Sequence, residues 1–184
     1  MERAAELFAE RGIASTSVDE VIGAAGAGKG QFYHYFRSRD ELAAAAVGYR
    51  CAQVIAGLTE ALGGVSSLAA LERALAGFVA GFEESGMPGC PIGTLATEVA
   101  GRNEEARLQA AAGFDAWERL LADALERMRQ RGELHADAKP AMLATGLPVQ
   151  IIGGSGDTVT PAQVADYARA ARETAAASSS RLRK

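Results

Sequence analysis

Apolar residues recur at helical spacing along most of the chain, and glycines and prolines interrupt them. Residues 3–11 place Ala4, Leu7 and Phe8 on one face, and Gly12 follows as a stop signal. The longest such segment spans roughly residues 103–131, with an apolar stripe of Leu108, Ala111, Phe114, Trp117, Leu121, Ala124, Leu125 and Met128. No segment alternates apolar and polar residues convincingly, as a half-buried strand would. The pattern therefore predicts an all-α protein.

Two capping boxes mark helix starts near the N-terminus. In Ser17-Val-Asp-Glu20 and Ser38-Arg-Asp-Glu41, the serine hydroxyl can accept a hydrogen bond from the amide three residues on, while the glutamate reaches back. The first box predicts a helix that ends at Gly26 and buries Val18, Val21, Ile22 and Ala25. The second predicts a long helix that ends at Gly63, with a buried stripe of Leu42, Ala45, Tyr49, Ala52, Ile55, Leu58 and Leu62.

Between the two boxes, residues 29–36 predict a short helix that follows a glycine-containing turn. Phe32 and Phe36 are four residues apart and share one face, which leaves Gln31 and the run Tyr33-His34-Tyr35 pointing largely outward. Core packing is the simpler interpretation of an aromatic cluster, and we adopt it for the two phenylalanines. Three consecutive residues cannot all face the core of one helix. The outward set is therefore a candidate binding surface.

Two short helices joined by a tight turn and braced by a third have the layout of a helix-turn-helix, whose second helix enters the major groove of DNA. Amide, hydroxyl and imidazole groups on that helix can bond base edges, Lys29 can contact a phosphate, and Gly30 keeps side-chain bulk away from the duplex. Ser17 and Arg39 lie where neighbouring helix ends would meet the DNA backbone. The predicted DNA-contacting residues are Ser17, Lys29, Gly30, Gln31, Tyr33, His34, Tyr35 and Arg39.

The charge balance limits how DNA could be held. The 184 residues carry 19 basic and 23 acidic side chains, a formal net charge of −4, and 48% of them are hydrophobic. The first 50 residues contain six Lys/Arg against seven Asp/Glu. Because neither count shows an excess of positive charge, contacts with DNA must be local.

Other motifs exclude several classes of protein. Cys51 and Cys90 form no metal or disulfide pattern, and we expect both to be packing residues. No signal peptide and no run of about 18 apolar residues is evident, so we expect a cytoplasmic protein without a membrane partner. Nucleophile motifs and metal spacings are also missing, and the run 26–30 lacks the glycine spacing of a phosphate loop. We therefore expect neither an enzyme nor a cofactor.

The run 16–42, preceded by residues 4–12, resembles the DNA-binding domain of the tetracycline-repressor (TetR) family. That resemblance implies an all-α homodimer in which residues 1–48 bind DNA through a three-helix domain. Residues 49–184 would form a helical bundle that binds a small-molecule inducer and dimerises through its last two helices. In the family, the residues matching Lys29, Gly30, Gln31, Tyr33, His34, Tyr35 and Arg39 touch operator DNA. We expect a repressor on a near-palindromic double-stranded operator.

The body beyond residue 63 gives weaker signals. Residues 68–82 keep the helical period, residues 86–93 interrupt it with two prolines and three glycines, and a short helix is expected around 94–100. The stretch 89–98, followed by the Trp117 helix, is similar to the branch of the family that includes the lincomycin-resistance repressor. Residues 146–160 are rich in glycine, proline and threonine where the family has its dimer interface, so 146–184 is atypical. The chain also begins almost at its first helix, which predicts a truncated start or greater dependence on the remaining DNA contacts.

Large apolar residues of the body are candidates for a ligand pocket, because helical bundles hold small molecules between their helices. They are Phe78, Phe82, Phe114, Trp117 and Leu121. Ordinary core packing explains each of them singly at least as well. An alternative for the whole chain is a helical interaction module that kept this fold without specific DNA binding.

Overall fold

The computed structural model describes residues 1–84 and 90–145, apart from the side chains of Phe82, Glu83 and Pro91. Its helices are α1 (Glu2–Arg11), α2 (Val18–Ala25), α3 (Lys29–Tyr35), α4 (Arg39–Leu62), α5 (Leu68–Glu84), α6 (Pro91–Val99) and α7 (Glu104–Gln130). Residues 140–145 are helical as well. No strand occurs in the described ranges, and the prediction of an all-α fold is confirmed. Of the predicted loop at 86–93, residues 86–89 lie outside the described residues, as does the atypical segment 146–184. Residues 91–93 are not a loop, because Pro91 occupies the first turn of α6, where a proline is tolerated, and the helix expected around 94–100 runs from Pro91 to Val99.

The first two helices end at glycines, as their sequences predict. Gly12 follows α1 with φ +82°, and its amide still donates to the Phe8 carbonyl at 3.0 Å. Gly26 follows α2 in the left-handed region, with φ +62° and ψ 27°. Side chains at these φ values would strain the backbone, so both turns depend on glycine.

The two predicted capping boxes differ in detail. The Ser17 hydroxyl accepts from the Glu20 amide at 3.2 Å, and the Glu20 carboxylate accepts from the Ser17 amide at 2.8 Å, which completes the first box. The Ser38 hydroxyl accepts from the Glu41 amide at 3.1 Å, but the Glu41 carboxylate accepts from the Arg37 amide at 2.7 Å. Ser38 therefore caps α4, but the reciprocal bond of a capping box is shifted by one residue, because Glu41 accepts from the Arg37 amide and not from the Ser38 amide.

Two compact units make up the chain. The first combines residues 1–55 with residues 90–114, so α6 and the start of α7 pack with helices α1 to α4. The described residues of the second are 56–84 and 115–145. The functional division into residues 1–48 and 49–184 stays a prediction.

Within the first unit, α4 and α7 approach closely where both carry small residues. A Cβ added at Gly113 would lie 2.7 Å from the Cys51 Sγ, and one added at Gly48 would lie 2.9 Å from the Gln109 side chain. Ile92 of α6 also contacts this region, 3.4 Å from the same Gly113 position. The glycines thus set the distance between the two long helices.

The buried stripes of α4 and early α7 differ from the predicted ones. On α4 the buried positions are Leu42, Ala43, Ala44, Ala46, Val47, Cys51, Val54, Leu58 and Leu62, whereas Ala45, Tyr49 and Ile55 are half-buried and Ala52 is exposed. On α7 Leu108 is 53% exposed, and Ala106, Ala110 and Gly113 are buried. In α2, where Val18 and Ala25 are also predicted to be buried, Val18 is half-buried and Ala25 is exposed. Helical spacing gives the period of a buried stripe, but which face is buried depends on the neighbouring helices, so the predicted stripes lie on partly different positions.

Within the second unit, the predicted stripe of late α7 is correct. Trp117, Leu121 and Met128 are fully buried, together with Leu58 and Leu62 from the end of α4. Arg127 of α7 donates from Nη2 to the Leu62 carbonyl at 2.8 Å. This bond satisfies one of the backbone acceptors that a helix end leaves without an intrahelical partner.

Among the described helices, α4 is long and apolar enough to pass a simple test for a membrane span. A core helix passes the same test. The core interpretation fits α4, because its buried residues follow one another at helical spacing and its exposed face carries residues such as Gln53 and Glu60.

Candidate nucleic-acid interface

The segment between α1 and α2 sets the position of the helix-turn-helix. Thr16 is the buried polar residue of this turn, and its hydroxyl donates to the Gly12 carbonyl at 2.9 Å. Ser17 follows in extended backbone, with φ −84° and ψ 159°, and caps α2. Val21 and Ile22 are the buried residues of α2, and they hold it against the rest of the first unit.

The turn between α2 and α3 is short and tied at its ends. The Ala27 amide donates to the Ile22 carbonyl at 3.0 Å, which closes the turn around Gly26. On the surface, Lys29 Nζ lies 3.0 Å from an oxygen of Asp19, so the first residues of α2 and α3 are neighbours. Both side chains are about 70% exposed, and the pair is of the kind that contributes little to stability.

Helix α3 buries one aromatic ring and exposes the next three residues. Phe32 is buried, and Phe36 just beyond the helix is half-buried with its ring centroid 5.6 Å from that of Phe32. Tyr33 is 64% exposed and Tyr35 is 66% exposed. His34 is exposed as well, and its ring meets that of Tyr35 edge-on at 5.0 Å. The inward and outward sides are therefore those expected from the helical period.

The remaining predicted residues of α3 also face outward. Gln31, Gly30 and Lys29 are all exposed. A Cβ added at Gly30 would meet nothing within 4 Å, so packing inside the chain does not require a glycine there. Close approach by a partner from outside would require one.

Ser17 and Arg39, predicted to contact the DNA backbone, are both engaged within the chain. The exposed Ser17 hydroxyl bonds Glu20 as donor and as acceptor. The half-buried guanidinium of Arg39 donates from Nε to the Thr16 carbonyl at 3.1 Å and from Nη2 to the carbonyls of Ile13 and Ala14. Arg39 therefore braces the turn between α1 and α2, and contact of either residue with DNA stays a prediction.

Two polar residues that support this surface were missed at the level of sequence. Glu98 of α6 accepts a hydrogen bond from the Ile13 amide at 2.5 Å, and Asn103 donates from Nδ2 to the Asp40 carbonyl at 2.8 Å. Their partners are 85 and 63 residues away along the chain. No local pattern marks such contacts, although Asn103 does carry the signature of a helix cap, since it bonds the Ala106 amide at 2.9 Å.

The predicted ligand-lining residues are divided between the units. In the second unit, Trp117 and Leu121 are fully buried and Phe78 is half-buried, with its ring edge-on to that of Trp117 at 5.6 Å. The indole N–H of Trp117 is buried and has no hydrogen-bond partner among the described residues. Phe114 is half-buried in the first unit, and the side chain of Phe82 lies outside the described residues.

The two cysteines are free and buried, as expected of packing residues. Burial raises the pKa of the Cys51 thiol to about 11, with a smaller contribution from nearby Cys90. Burial likewise raises the pKa of Cys90. Both groups are therefore thiols at neutral pH, which makes them poor nucleophiles.

Two family models match this chain. The one described as bacterial regulatory proteins of the tetR family matches residues 1–46. The one described as the tetracyclin repressor-like C-terminal domain matches residues 64–177. Together they cover most of the chain, and the helix-turn-helix lies within the first match.

Related proteins of known description are transcriptional regulators. The transcriptional regulator AcuR of Cereibacter sphaeroides is 30% identical over 142 residues, which are 76% of this chain and 65% of that protein. An uncharacterized HTH-type transcriptional regulator of Mycobacterium tuberculosis, Rv0196, is 34% identical over 125 residues, which are 65% of this chain and 63% of its own length. The HTH-type transcriptional repressor DhaR of Mycobacterium sp. strain GP1 is 23% identical over 147 residues, 78% of this chain and 72% of that protein. The chain thus spans less than two thirds of the first two relatives.

Solved structures share the fold over nearly the whole chain. The regulatory protein TetR from Rhodobacter sphaeroides superposes with a TM-score of 0.75 at 26% identity, covering 94% of both chains. The reduced form of NemR from E. coli superposes with a TM-score of 0.74 at 23% identity, covering 94% of this chain and 92% of the other. With an N-terminal helix-turn-helix, a helical body and both family models matched in order, this chain belongs to the TetR family of bacterial regulatory proteins.

Proposed function

We propose that this chain is a cytoplasmic DNA-binding transcriptional regulator, most simply a repressor, that reads its operator with α3. The observation that carries the proposal is the exposure of Gln31, Tyr33, His34 and Tyr35 while Phe32 is buried beneath them. Exposed aromatic residues clustered on a short, braced helix are typical of an interaction surface. Family membership indicates which partner to test first.

Each outward group on α3 has a role in the proposal. The Gln31 amide can bond N6 and N7 of one adenine in the major groove, and the Tyr33 and Tyr35 hydroxyls and the His34 imidazole can bond base edges or phosphates. Lys29 would exchange its surface pairing with Asp19 for a phosphate. Gly30 would let the helix backbone approach the duplex.

The proposed assembly is a homodimer on a near-palindromic site. Two copies of α3 would lie one helical turn of DNA apart, about 34 Å, as in other dimeric helix-turn-helix proteins. The name of DhaR, a transcriptional repressor, supports repression over activation. Resemblance to the lincomycin-resistance branch stays part of the same proposal.

Release from DNA would follow binding of a small, largely apolar molecule to the body. Of the residues predicted from sequence to line the site, Phe78, Phe82, Phe114, Trp117 and Leu121, the proposal rests on Phe78, Trp117 and Leu121, which all lie in the second unit. The indole N–H of Trp117, which has no partner within residues 1–84 and 90–145, favours a ligand that brings a hydrogen-bond acceptor, because a buried donor without one costs free energy. An inducer that prefers the DNA-incompetent state would weaken operator binding by about 1–3 kcal/mol of coupling. Trp117 is the single tryptophan, so its fluorescence reports on binding.

An electrophoretic mobility shift with the DNA that flanks the gene tests the DNA-binding proposal. Tyr33→Ala and His34→Ala should each weaken binding by about 1–3 kcal/mol, since each removes a base-edge contact. Leu108→Ala, which truncates an exposed side chain on α7, is the matched control and should bind like the wild type. Equal, weak binding of all four proteins without sequence preference would favour the interaction module instead.

A further inference from the structure

Three carbonyl groups of the turn between α1 and α2 accept hydrogen bonds from a single side chain, that of Arg39. Arg39 donates its guanidinium N–H groups to the carbonyls of Ile13, Ala14 and Thr16. The Thr16 hydroxyl adds a bond to the Gly12 carbonyl at 2.9 Å. Since α2 begins two residues after Thr16, this turn determines where the helix-turn-helix starts.

A backbone amide of the same turn, that of Ile13, is hydrogen-bonded to a residue of α6. The Ile13 N–H donates to the Glu98 carboxylate at 2.5 Å, a charge-assisted bond in a partly buried position. Gly12 is required beside it, because its φ is +82° and a Cβ there would lie 3.1 Å from the Glu98 Oε2. Glycine at this position lets the carboxylate reach the backbone.

Glu98 connects two parts of the chain that the family models treat separately. Ile13 lies in the N-terminal match, residues 1–46, and Glu98 lies in the C-terminal match, residues 64–177. A second bond runs the same way, from Asn103 Nδ2 to the Asp40 carbonyl at the start of α4. The DNA-binding helices are therefore bonded to α6 and to the α6–α7 corner, in addition to their covalent continuity with α4.

We propose that Glu98 is a positioning residue for DNA recognition. Its carboxylate fixes the α1–α2 turn to α6, and the orientation of α2 and α3 follows from that contact. This inference rests on the proposed function, because one of its two readouts is affinity for operator DNA. A part-buried amide that loses its acceptor is left unsatisfied, so the turn shifts or opens when the carboxylate is removed.

Three substitutions at Glu98 separate positioning from simple packing. Glu98→Ala removes the acceptor and should weaken operator binding about tenfold, which corresponds to about 1.4 kcal/mol. Glu98→Gln keeps an acceptor oxygen at the same length without the charge, and its affinity should be intermediate. Glu98→Asp keeps the charge but is one methylene shorter, and it should resemble the alanine variant. Glu105→Ala removes an exposed carboxylate of the same unit and should leave affinity unchanged.

Amide hydrogen exchange at Ile13 supplies a readout that does not depend on DNA. In Glu98→Ala, exchange at Ile13 should accelerate at least tenfold, while the Gly12 amide, which donates to the Phe8 carbonyl within the turn of α1, should change little. Unchanged exchange at Ile13 would show that the bond does not hold the turn. Faster exchange combined with wild-type operator affinity would show that the bond does not position α3, and either result overturns the inference.

Two further outcomes are distinguishable. If Glu98→Ala loses its helical circular dichroism, Glu98→Gln decides: intermediate affinity at an unchanged melting temperature supports positioning, and wild-type affinity overturns it. If wild-type protein itself fails to bind the flanking DNA, the proposed function fails. The Ile13 exchange rate then still decides whether Glu98 holds the turn.

Discussion

At the scale of single residues, Glu20 completes the capping box of α2, and the same hydrogen bonds change its pKa. Its carboxylate accepts from the Ser17 amide and hydroxyl, both at 2.8 Å, and lies 3.3 Å from Arg11. These bonds, led by that of the Ser17 backbone, lower the pKa of Glu20 below its ordinary value of 4.5. The ionised form thus stabilises the start of α2 and, through it, the helix-turn-helix.

The stability of α2 should therefore depend on pH through Glu20. Because its pKa is lower in the folded state, the stabilisation is present above 4.5 and is lost as pH falls through the folded value. Glu20→Gln should lower the melting temperature at neutral pH, and its difference from the wild type should shrink in acid. Thermal unfolding followed by circular dichroism measures this.

The exposed Glu10 is the control for that experiment, since Glu10→Gln removes the same charge without touching the capping box. A difference between Glu20→Gln and the wild type that persists unchanged below pH 4.5 would contradict the assignment. A similar loss in Glu10→Gln would assign the effect to overall charge.

Sequence patterns predict the burial or capping role of a residue well when that role depends on its neighbours along the chain. The Ser17 capping box, the exposed run 33–35 and the buried Phe32 all follow from spacing within one or two helical turns. Glu98 could not be found that way, because its partner lies 85 residues distant and the bond depends on how α6 meets α1. Arg39 was recognised as important, but its three backbone carbonyl partners become visible only in the folded turn.

At the scale of elements, the packing of α4 against α7 depends on glycine. Gly113 faces Cys51 so closely that an added Cβ would lie 2.7 Å from its Sγ and 3.0 Å from its Cβ. Hydrophobic periodicity places Leu108 and Ala111 on the buried face, whereas Leu108 is exposed and Ala111 is half-buried. Helices that approach closely bury their smallest residues, which the pattern of large apolar residues does not reveal.

Gly113→Ala should accordingly destabilise the protein by about 1–3 kcal/mol, since the new methyl group overpacks the α4–α7 contact. Gly77→Ala is the matched control in α5, where an added Cβ meets nothing within 4 Å. That variant should stabilise by up to about 1 kcal/mol through helix propensity. Urea unfolding of both variants measures the difference.

Cys51→Ala completes the cycle, because it removes the Sγ that the Gly113 methyl group would meet. The double variant should recover part of the stability that Gly113→Ala loses. Stabilisation by Gly113→Ala alone, or a double variant that is simply additive, would show that the two helices are farther apart than described.

At the scale of the whole molecule, a chain with net charge −4 is proposed to hold DNA. Local contacts would allow this, because α3 presents Lys29 for a phosphate and polar and aromatic side chains for base edges, and these contacts do not need a positive charge on the whole chain. The all-α class, the helix-turn-helix and the family could be predicted from sequence because the motif is long and specific. The packing of α6 and early α7 with the N-terminal helices could not, since it depends on contacts between distant segments.

The proposed dimer has its own test in sedimentation. Analytical ultracentrifugation of the full chain at micromolar concentration should give a dimer, and the complex with operator DNA should contain two chains. A monomer bound to DNA at that concentration would contradict the proposed spacing of the two recognition helices.

Protection of guanine N7 from methylation tests the central claim most directly, because N7 faces the major groove that α3 is proposed to enter. On the DNA flanking the gene, wild-type protein should protect guanines in two half-sites about 10–10.5 base pairs apart. His34→Ala should lose that protection at protein concentrations where Leu108→Ala retains it. Protection that is absent, or that is the same in the wild type and His34→Ala, would contradict the account.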